Sequence, residues 1–253
     1  MINILINGCN GRMGREISKL IINSQNFNLI GGISHTCSSS NSFKSYSSIK
    51  QVPQLPDVII DFSTPLSSLK ILNQSICYKI PIVIGTTGFS CEENSIIANA
   101  SQYIPIFKSS NMSCSINILA HVIAKLSAIL NEPDIEIIDK HHNKKKDSPS
   151  GTALLLADKI NSFNNNKYTY NFNRFNQKKE RSKNEIGFSS IRCGNTVGEH
   201  IVMLFSEDEV IEIKHSSISR KVFAVGALKA AKYIISKPTG RIYSMDDLVL
   251  DLF

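Results

Sequence analysis

Between Asp139 and Thr152 the chain reads DKHHNKKKDSPSGT. Histidine titrates near neutrality, so His141 and His142 can exchange a proton at physiological pH. The lysines at 144, 145 and 146 are fixed point charges suited to carboxylates. Ser150-Gly151-Thr152 is read as the opening of a helix, where unpaired N–H groups and the dipole also hold anions. A cationic pocket with a proton donor, placed beside a hydride source, suits reduction of an unsaturated dicarboxylate. Against this stands the plainer reading of a solvated basic face, which fits Lys140, Lys144 and Lys146 taken singly. Side chains of consecutive residues diverge in an extended segment, and no Cys/His partner stands at ligand spacing. No metal site is therefore expected. His121 reads as a partnered helix histidine, while His200 and His215 stay undecided on pattern alone.

A hydride source is expected at the other end of the chain. Gly8-Cys9-Asn10-Gly11-Arg12-Met13-Gly14 falls where a first strand turns into a first helix. Glycines there let backbone N–H groups approach a pyrophosphate. The spacing is G-x-x-G-x-x-G rather than G-x-G-x-x-G, with Asn10 at the middle glycine; a tight turn without a ligand is the alternative. An acidic residue about 20 positions onward would bind a ribose 2′-hydroxyl, but Ser34-His35-Thr36 stands there instead. Without that carboxylate a 2′-phosphate is not repelled, and Arg12 or His35 is placed to meet it. This leans towards NADPH over NADH, with solvent-exposed loop residues as the rival reading. Gly85-Thr86-Thr87-Gly88 and Ser109-Ser110-Asn111-Met112 follow two further strands, and ligands of open α/β sheets lie beyond the carboxyl ends of strands.

The elements that must carry these residues follow from periodicity. Short apolar runs at 2–7, 28–33, 57–62, 81–85 and 104–107 alternate with amphipathic stretches at 12–23, 66–78 and 91–101, the pattern of βαβ units and a parallel sheet. Ile116, Leu119, Ile123, Leu126 and Leu130 recur at helical spacing. A strand at 136–138 and a helix at 151–160 flank the histidine segment. Residues 161–185 carry no clear period and read as a loop. Strands near 186–193, 199–205 and 210–215 and a helix at 219–236 precede a tail at 242–245. The fold class expected is α/β: a Rossmann-like parallel-sheet nucleotide domain over 1–112 and 220–253, interrupted by an α+β substrate-binding and oligomerisation domain over 113–219.

The 253 residues, 42% of them hydrophobic, are enough for one or two domains with real cores. No apolar run approaches the length of a membrane span, and no signal peptide is read at the amino terminus. Six cysteines without C-x-x-C spacing fit a reducing cytoplasm. The net charge of +7 alone does not choose between nucleic acid, membrane surface and anionic small molecules. A nucleic-acid binder would leave the histidine pair without purpose. A semialdehyde dehydrogenase would want a cysteine nucleophile with a base nearby, and none is evident. No nucleic-acid or membrane partner is expected.

Taken together, GCNGRMG at 8–14, DFSTP at 61–65, IGTTGF at 84–89, Ser109–Ser113, HHNKKKDSPSGTA from His141, Ile186-Gly187-Phe188 and RCGNTVGEH at 192–200 closely resemble the 4-hydroxy-tetrahydrodipicolinate reductase (dihydrodipicolinate reductase) family. The resemblance covers nearly the whole chain, and H-H-x-x-K-x-D-x-P-S-G-T is its specific part. It implies NAD(P)H-dependent reduction of 4-hydroxy-tetrahydrodipicolinate to tetrahydrodipicolinate, with loss of water, in lysine and diaminopimelate biosynthesis. It implies His141 as proton donor and Lys145 as second acid or charge partner. His142, Gly151 and Thr152 would hold substrate carboxylates. Gly8 to Met13, Gly85 to Thr87 and Ser109 to Met112 would hold the cofactor. It also implies a cytoplasmic homotetramer assembled through the β-rich domain. Ser34 replaces the acid that many members carry, which bears on NADH preference, and Asn143-Lys144 departs from the usual basic or histidine pair.

Overall fold

The computed structural model describes residues 1–34, 43–130, 132–175 and 177–251. Two compact units emerge, one from Met1–Cys114 with Arg220–Phe253 and the other from Ser115–Ser219. The first unit is built from β1 (Ile2–Asn7), α1 (Arg12–Ile22), β2 (Phe27–Ile33), β3 (Ser45–Tyr46), β4 (Val58–Asp61), α2 (Pro65–Tyr78), β5 (Ile82–Ile84), α3 (Cys91–Ala100) and β6 (Ile106–Lys108). After the insertion it resumes with α6 (Lys221–Ile234), β12 (Ile242–Tyr243) and α7 (Met245–Leu250). The described strands form one sheet in the order β12-β6-β5-β4-β1-β2-β3, and every pairing in it is parallel.

Helices α1 and α6 cover one face of the sheet and α2 and α3 the other, so its central strands are apolar on both sides. Ile4 and Ile6 of β1 pack with Ile17 and Ile21 of α1 and Ala227, Ala231 and Ile234 of α6. Leu5, on the opposite side of the pleat, joins Ile71 and Leu72 of α2 and Ile97 of α3. β1 lies between β2 and β4, so the strand order reverses there and a crevice opens beyond its carboxyl end.

The second unit contains α4 (Cys114–Ile129), whose first residue belongs to the first unit, then β7 (Asp134–His141), α5 (Gly151–Phe163), β8 (Thr169–Asn171), β9 (Glu185–Arg192), β10 (Gly198–Phe205) and β11 (Val210–Ser217). The sheet order is β11-β10-β7-β9-β8. β10 runs antiparallel to both neighbours, whereas β7, β9 and β8 pair in parallel. Ile135, Ile137, Ile186, Phe188, Val202 and Leu204 form the core with Ala120 and Ile123 of α4 and Leu156 and Ile160 of α5. A Rossmann-like parallel sheet with a second, mixed-sheet unit is therefore the fold.

Several short elements differ from the sequence reading. The segment 161–185 is not wholly irregular: α5 continues to Phe163 and β8 pairs with β9. Arg181 anchors the rest, with its guanidinium on Asp134 and Glu136 and donating to the Ile135 and Glu185 carbonyls. The tail at 242–245 is a strand paired to β6 followed by α7, whose start is closed by a capping box between Ser244 and Asp247.

Candidate active-site and cofactor residues

The glycine turn is held by close backbone packing. Gly8 has φ +79, and a Cβ there would stand 2.2 Å from the Phe62 carbonyl oxygen. A Cβ on Gly14 would meet the Gly8 oxygen at 2.4 Å, so α1 seats directly on the turn. Gly11 is the N-cap of α1 and offers no side-chain cap. No side-chain cap therefore competes with an anion for the first amides of the helix, which suits a pyrophosphate. Arg12 is exposed and Met13 half-buried. Cys9 is fully buried, its thiol against the Ile33 carbonyl, so only its backbone can face a ligand. Asn10 donates to the Ser34 hydroxyl at 2.9 Å, tying the turn to the end of β2. His35 lies outside the described residues.

Below the turn, Asp61 at the end of β4 is wholly buried and accepts four bonds. Asn7 donates at 2.7 Å, Ser63 at 2.6 Å, Ser68 at 2.5 Å and Thr86 at 2.8 Å. Burial pushes its carboxyl up and these donors pull it back only in part. One carboxylate thus binds the ends of β1, β4 and β5 together. Thr86 spends its hydroxyl on Asp61 and on the Ser63 amide, leaving its backbone for a ligand. Thr87 is exposed beside it. Thr86, Thr87, Ser109 and Ser110 line a small cavity with Lys108, whose ammonium bonds Asn94 at 2.8 Å and lies over the Phe89 ring. Asn111 is buried and accepts from the Ser113 amide, while Met112 is in the core.

In the second unit the pleat of β7 decides which side chains meet. Ile135, Ile137, Asp139 and His141 alternate on its buried face, so the apolar core gives way to an acid and a histidine at the strand's end. On β10 the same face carries Gly198, His200, Val202 and Leu204. Register places His200 opposite Asp139 across one edge, and Ser190 and Arg192 of β9 opposite Asp139 and His141 across the other. His141 Nδ1 lies 3.3 Å from Asp139 Oδ2. This is longer than a well-aligned hydrogen bond, so the buried Nδ1 faces the carboxylate as an ion-pair neighbour without a formed hydrogen bond. Its Nε2 points towards Gly198, where a Cβ would come within 3.1 Å.

Asp139 is almost fully buried and surrounded by donors. The Ser150 amide donates at 2.9 Å, Arg192 Nη2 at 3.1 Å, and Ser190 through its hydroxyl. Burial alone would push this carboxyl up. The His141 ring beside it and the bonds from Ser190, Arg192 and Ser150 overturn that and hold it well below the usual range. Arg192 also donates to the Asp147 carbonyl at 2.8 Å, fastening the intervening loop. In that loop Lys145 pairs with Asp147 at 2.8 Å, and His142 is half-buried. Ser150 caps α5 by accepting from the Ala153 amide, and Gly151 and Thr152 form its first turn.

His200 is pushed down to about 4, by burial first and then by His141, with His215 and Lys145 adding and Asp139 opposing. It is therefore neutral at pH 7, and its Nε2 lies 3.1 Å from the Ser150 hydroxyl. A histidine whose folded pKa is depressed contributes stability above its unfolded pKa and loses it as pH falls towards the folded value. For a drop from the usual 6.5 to about 4 this is worth about 3 kcal/mol at most. Melting temperature should decline between about pH 6.5 and 4, and His200→Asn should flatten that slope. An unchanged slope in the variant would place the titrating group elsewhere.

Asp139, His141 and His200 offer ligand atoms within 4.8 Å of one another. Sequence spacing did not anticipate that grouping, because it depends on strand register. The Arg192 guanidinium on the same carboxylate opposes a cation there. The arrangement instead sets a buried histidine ring against a carboxylate whose other contacts reach the start of α5. Asp139, Arg192 and His200 join the site without a role assigned to them by the sequence, whereas Ser150 stands at the helix start already read as anion-holding. The alternation of Asp139 with Ile135 and Ile137 is a local signal for its burial, and Arg192 and His200 are legible only as the ends of the RCGNTVGEH motif.

The comparisons with known proteins agree in one direction. The family described as "Dihydrodipicolinate reductase, N-terminus" matches residues 2–112, and "Dihydrodipicolinate reductase, C-terminus" matches residues 115–249. The chain is 44% identical over 249 residues to a 4-hydroxy-tetrahydrodipicolinate reductase of Caldanaerobacter subterraneus subsp. tengcongensis, covering 98% of both. It is 44% identical over 247 residues to one of Clostridium tetani, covering 97% of this chain and 96% of the relative. A dipicolinate-bound dihydrodipicolinate reductase from Paenisporosarcina sp. TG-14 shares the fold, with a TM-score of 0.78 at 22% identity over 98% of this chain and 99% of the other. With both halves matched and relatives at this identity over nearly the full length, the chain belongs to the dihydrodipicolinate reductase family of oxidoreductases.

Proposed function

We propose that this chain reduces 4-hydroxy-tetrahydrodipicolinate to tetrahydrodipicolinate with NAD(P)H, releasing water, in lysine and diaminopimelate biosynthesis. The observation that carries the reading is the placement of HHNKKKDSPSGT: a buried histidine ends β7, and the segment closes on a capped helix start. Bound NAD(P)H supplies the hydride. His141 gives up the proton that balances it, from Nε2, while Nδ1 faces Asp139. Lys145 neutralises developing charge, its ammonium exchanging Asp147 for the substrate. His142 and the amides of Gly151 and Thr152 take the carboxylates of a dianion.

The cofactor is held by the turn from Gly8 to Met13, by Gly85 to Thr87 and by Ser109 to Met112. The uncapped start of α1 supports a pyrophosphate there. Ser34 in place of an acid at the end of β2 favours NADPH, with NADH as the alternative donor, and Arg12 and His35 stand nearest in sequence to meet a 2′-phosphate. We also propose the cytoplasm as the site of action and a homotetramer assembled through the second unit as the working form. Among the described residues no helix is long and apolar enough to cross a membrane. Purified protein should oxidise NADPH only when given the condensation product of pyruvate and aspartate semialdehyde. NADPH oxidation independent of that product would overturn the reading, and the same assay with NADH gives the cofactor preference.

A further inference from the structure

We infer that Asp139 is the positioning residue that couples the two halves of this site, fixing the ring of the proton donor and the start of the carboxylate-binding helix through one buried carboxylate. The inference rests on the function proposed above. Its basis is that Asp139 Oδ2 faces three partners at once. His141 Nδ1 lies 3.3 Å away, the Ser150 amide donates at 2.9 Å, and Arg192 Nη2 donates at 3.1 Å.

Each contact has a distinct consequence. A carboxylate facing Nδ1 holds a proton on that nitrogen, so that Nε2 is the nitrogen that takes up the second proton and gives it to the substrate. Nε2 is the atom that points to the side-chain-free Gly198. The bond to the Ser150 amide fixes the residue on which α5 begins. From there the Ala153 amide donates to the Ser150 hydroxyl and the Leu154 amide to the Ser150 carbonyl. The direction of the first-turn amides at Gly151 and Thr152 therefore depends on Asp139. Arg192 offsets the buried negative charge and extends the coupling to the Asp147 carbonyl, hence to the loop carrying Lys145. His200 meets Ser150 from the far side at 3.1 Å and stays neutral, so it adds no charge that would compete for the carboxylate.

The coupling predicts a signature that neither a simple catalytic role nor a simple structural one gives. The test compares the full-length wild type with Asp139→Asn, Asp139→Glu and His141→Gln. Its readouts are NADPH oxidation, titration with dipicolinate as a non-reacting dianion, NADPH binding and the ¹⁵N spectrum of the imidazoles. Asp139→Asn should lower kcat about 10²-fold and also weaken dipicolinate binding about tenfold. It should abolish the Nδ1–H signature of His141 and leave NADPH affinity unchanged. His141→Gln should lower kcat while leaving dipicolinate affinity within about twofold, and Asp139→Glu, which restores the charge, should recover part of both losses. Dipicolinate affinity unaltered in Asp139→Asn, or an intact Nδ1–H signature, would overturn the inference. Should Asp139→Asn fail to fold, Arg192→Gln takes its place. It should impair turnover and dipicolinate binding together, and loss of only one would equally overturn the coupling. A wild type that neither turns over the condensation product nor binds dipicolinate would instead refute the proposed function. The His141 tautomer, read without substrate, still judges the coupling in that event.

Discussion

Replacing His141 with glutamine is expected to lower turnover by roughly 10²-fold or more, the usual loss on removing a general acid, with cofactor binding retained. Glutamine keeps a polar side chain of similar reach but cannot deliver a proton near pH 7. The effect should fall on kcat, because the carboxylate-holding groups on α5 and at His142 are untouched. Lys145→Ala should also damage turnover, since its ammonium is half-buried beside Asp147 and would lose its charge at the substrate. Lys146→Ala should matter little, its side chain being exposed. Steady-state kinetics on the three variants decide the matter. Unchanged turnover in His141→Gln would reassign the proton donor, and like behaviour of the two lysine variants would return the segment to a solvated basic face.

The second large effect is expected at Gly8. An alanine there must hold φ near +79 while its Cβ sits 2.2 Å from the Phe62 carbonyl oxygen. The left-handed conformation alone costs about 1–2 kcal/mol, and the overlap is with backbone, which cannot rotate away. The turn must open, so NADPH affinity should fall about tenfold or more, with a lower melting temperature. Gly88→Ala is the matched control. It has φ +85 but nothing within 4 Å of the added carbon, so it carries the conformational cost without the collision and should be much milder. Equal losses in the two variants, read by NADPH fluorescence and thermal melts, would show that close approach at Gly8 is not what the turn requires.

How far the sequence reveals this structure depends on the kind of interaction that makes each part. The boundaries of β1 and the starts of α1 and α3 are legible because hydrophobic period and helix-start residues are local signals. The two-residue strands β3 and β12 and the three-residue β8 are not, since pairing with a neighbour makes them strands and no period fits in so few residues. The segment from 172 to 184 reads as loop because its anchor is Arg181 on Asp134 and Glu136, a contact 45 residues away in sequence for the latter. His141 and Lys145 were visible as residue types suited to chemistry. Asp139, His200 and Arg192 come together only through the register of three strands, and register is a long-range property.

The division of the first unit between two stretches of chain, Met1–Cys114 and Arg220–Phe253, has a consequence for biosynthesis on the ribosome. α6 supplies Ala224, Ala227, Ala230, Ala231 and Ile234 to the core beneath β1 and β4, and Gly226 lies so close to Met112 that a Cβ would overlap its carbonyl oxygen. Until those residues emerge, that face of the nascent sheet is covered only in part, by Ile17 and Ile21 of α1. The inserted unit, contiguous from Ser115 to Ser219, is able to fold before that face is closed, since domains fold as units during synthesis. At roughly 5–20 residues per second, the unfinished sheet waits on the order of ten seconds for α6, and that interval is when the growing polypeptide is most exposed to aggregation.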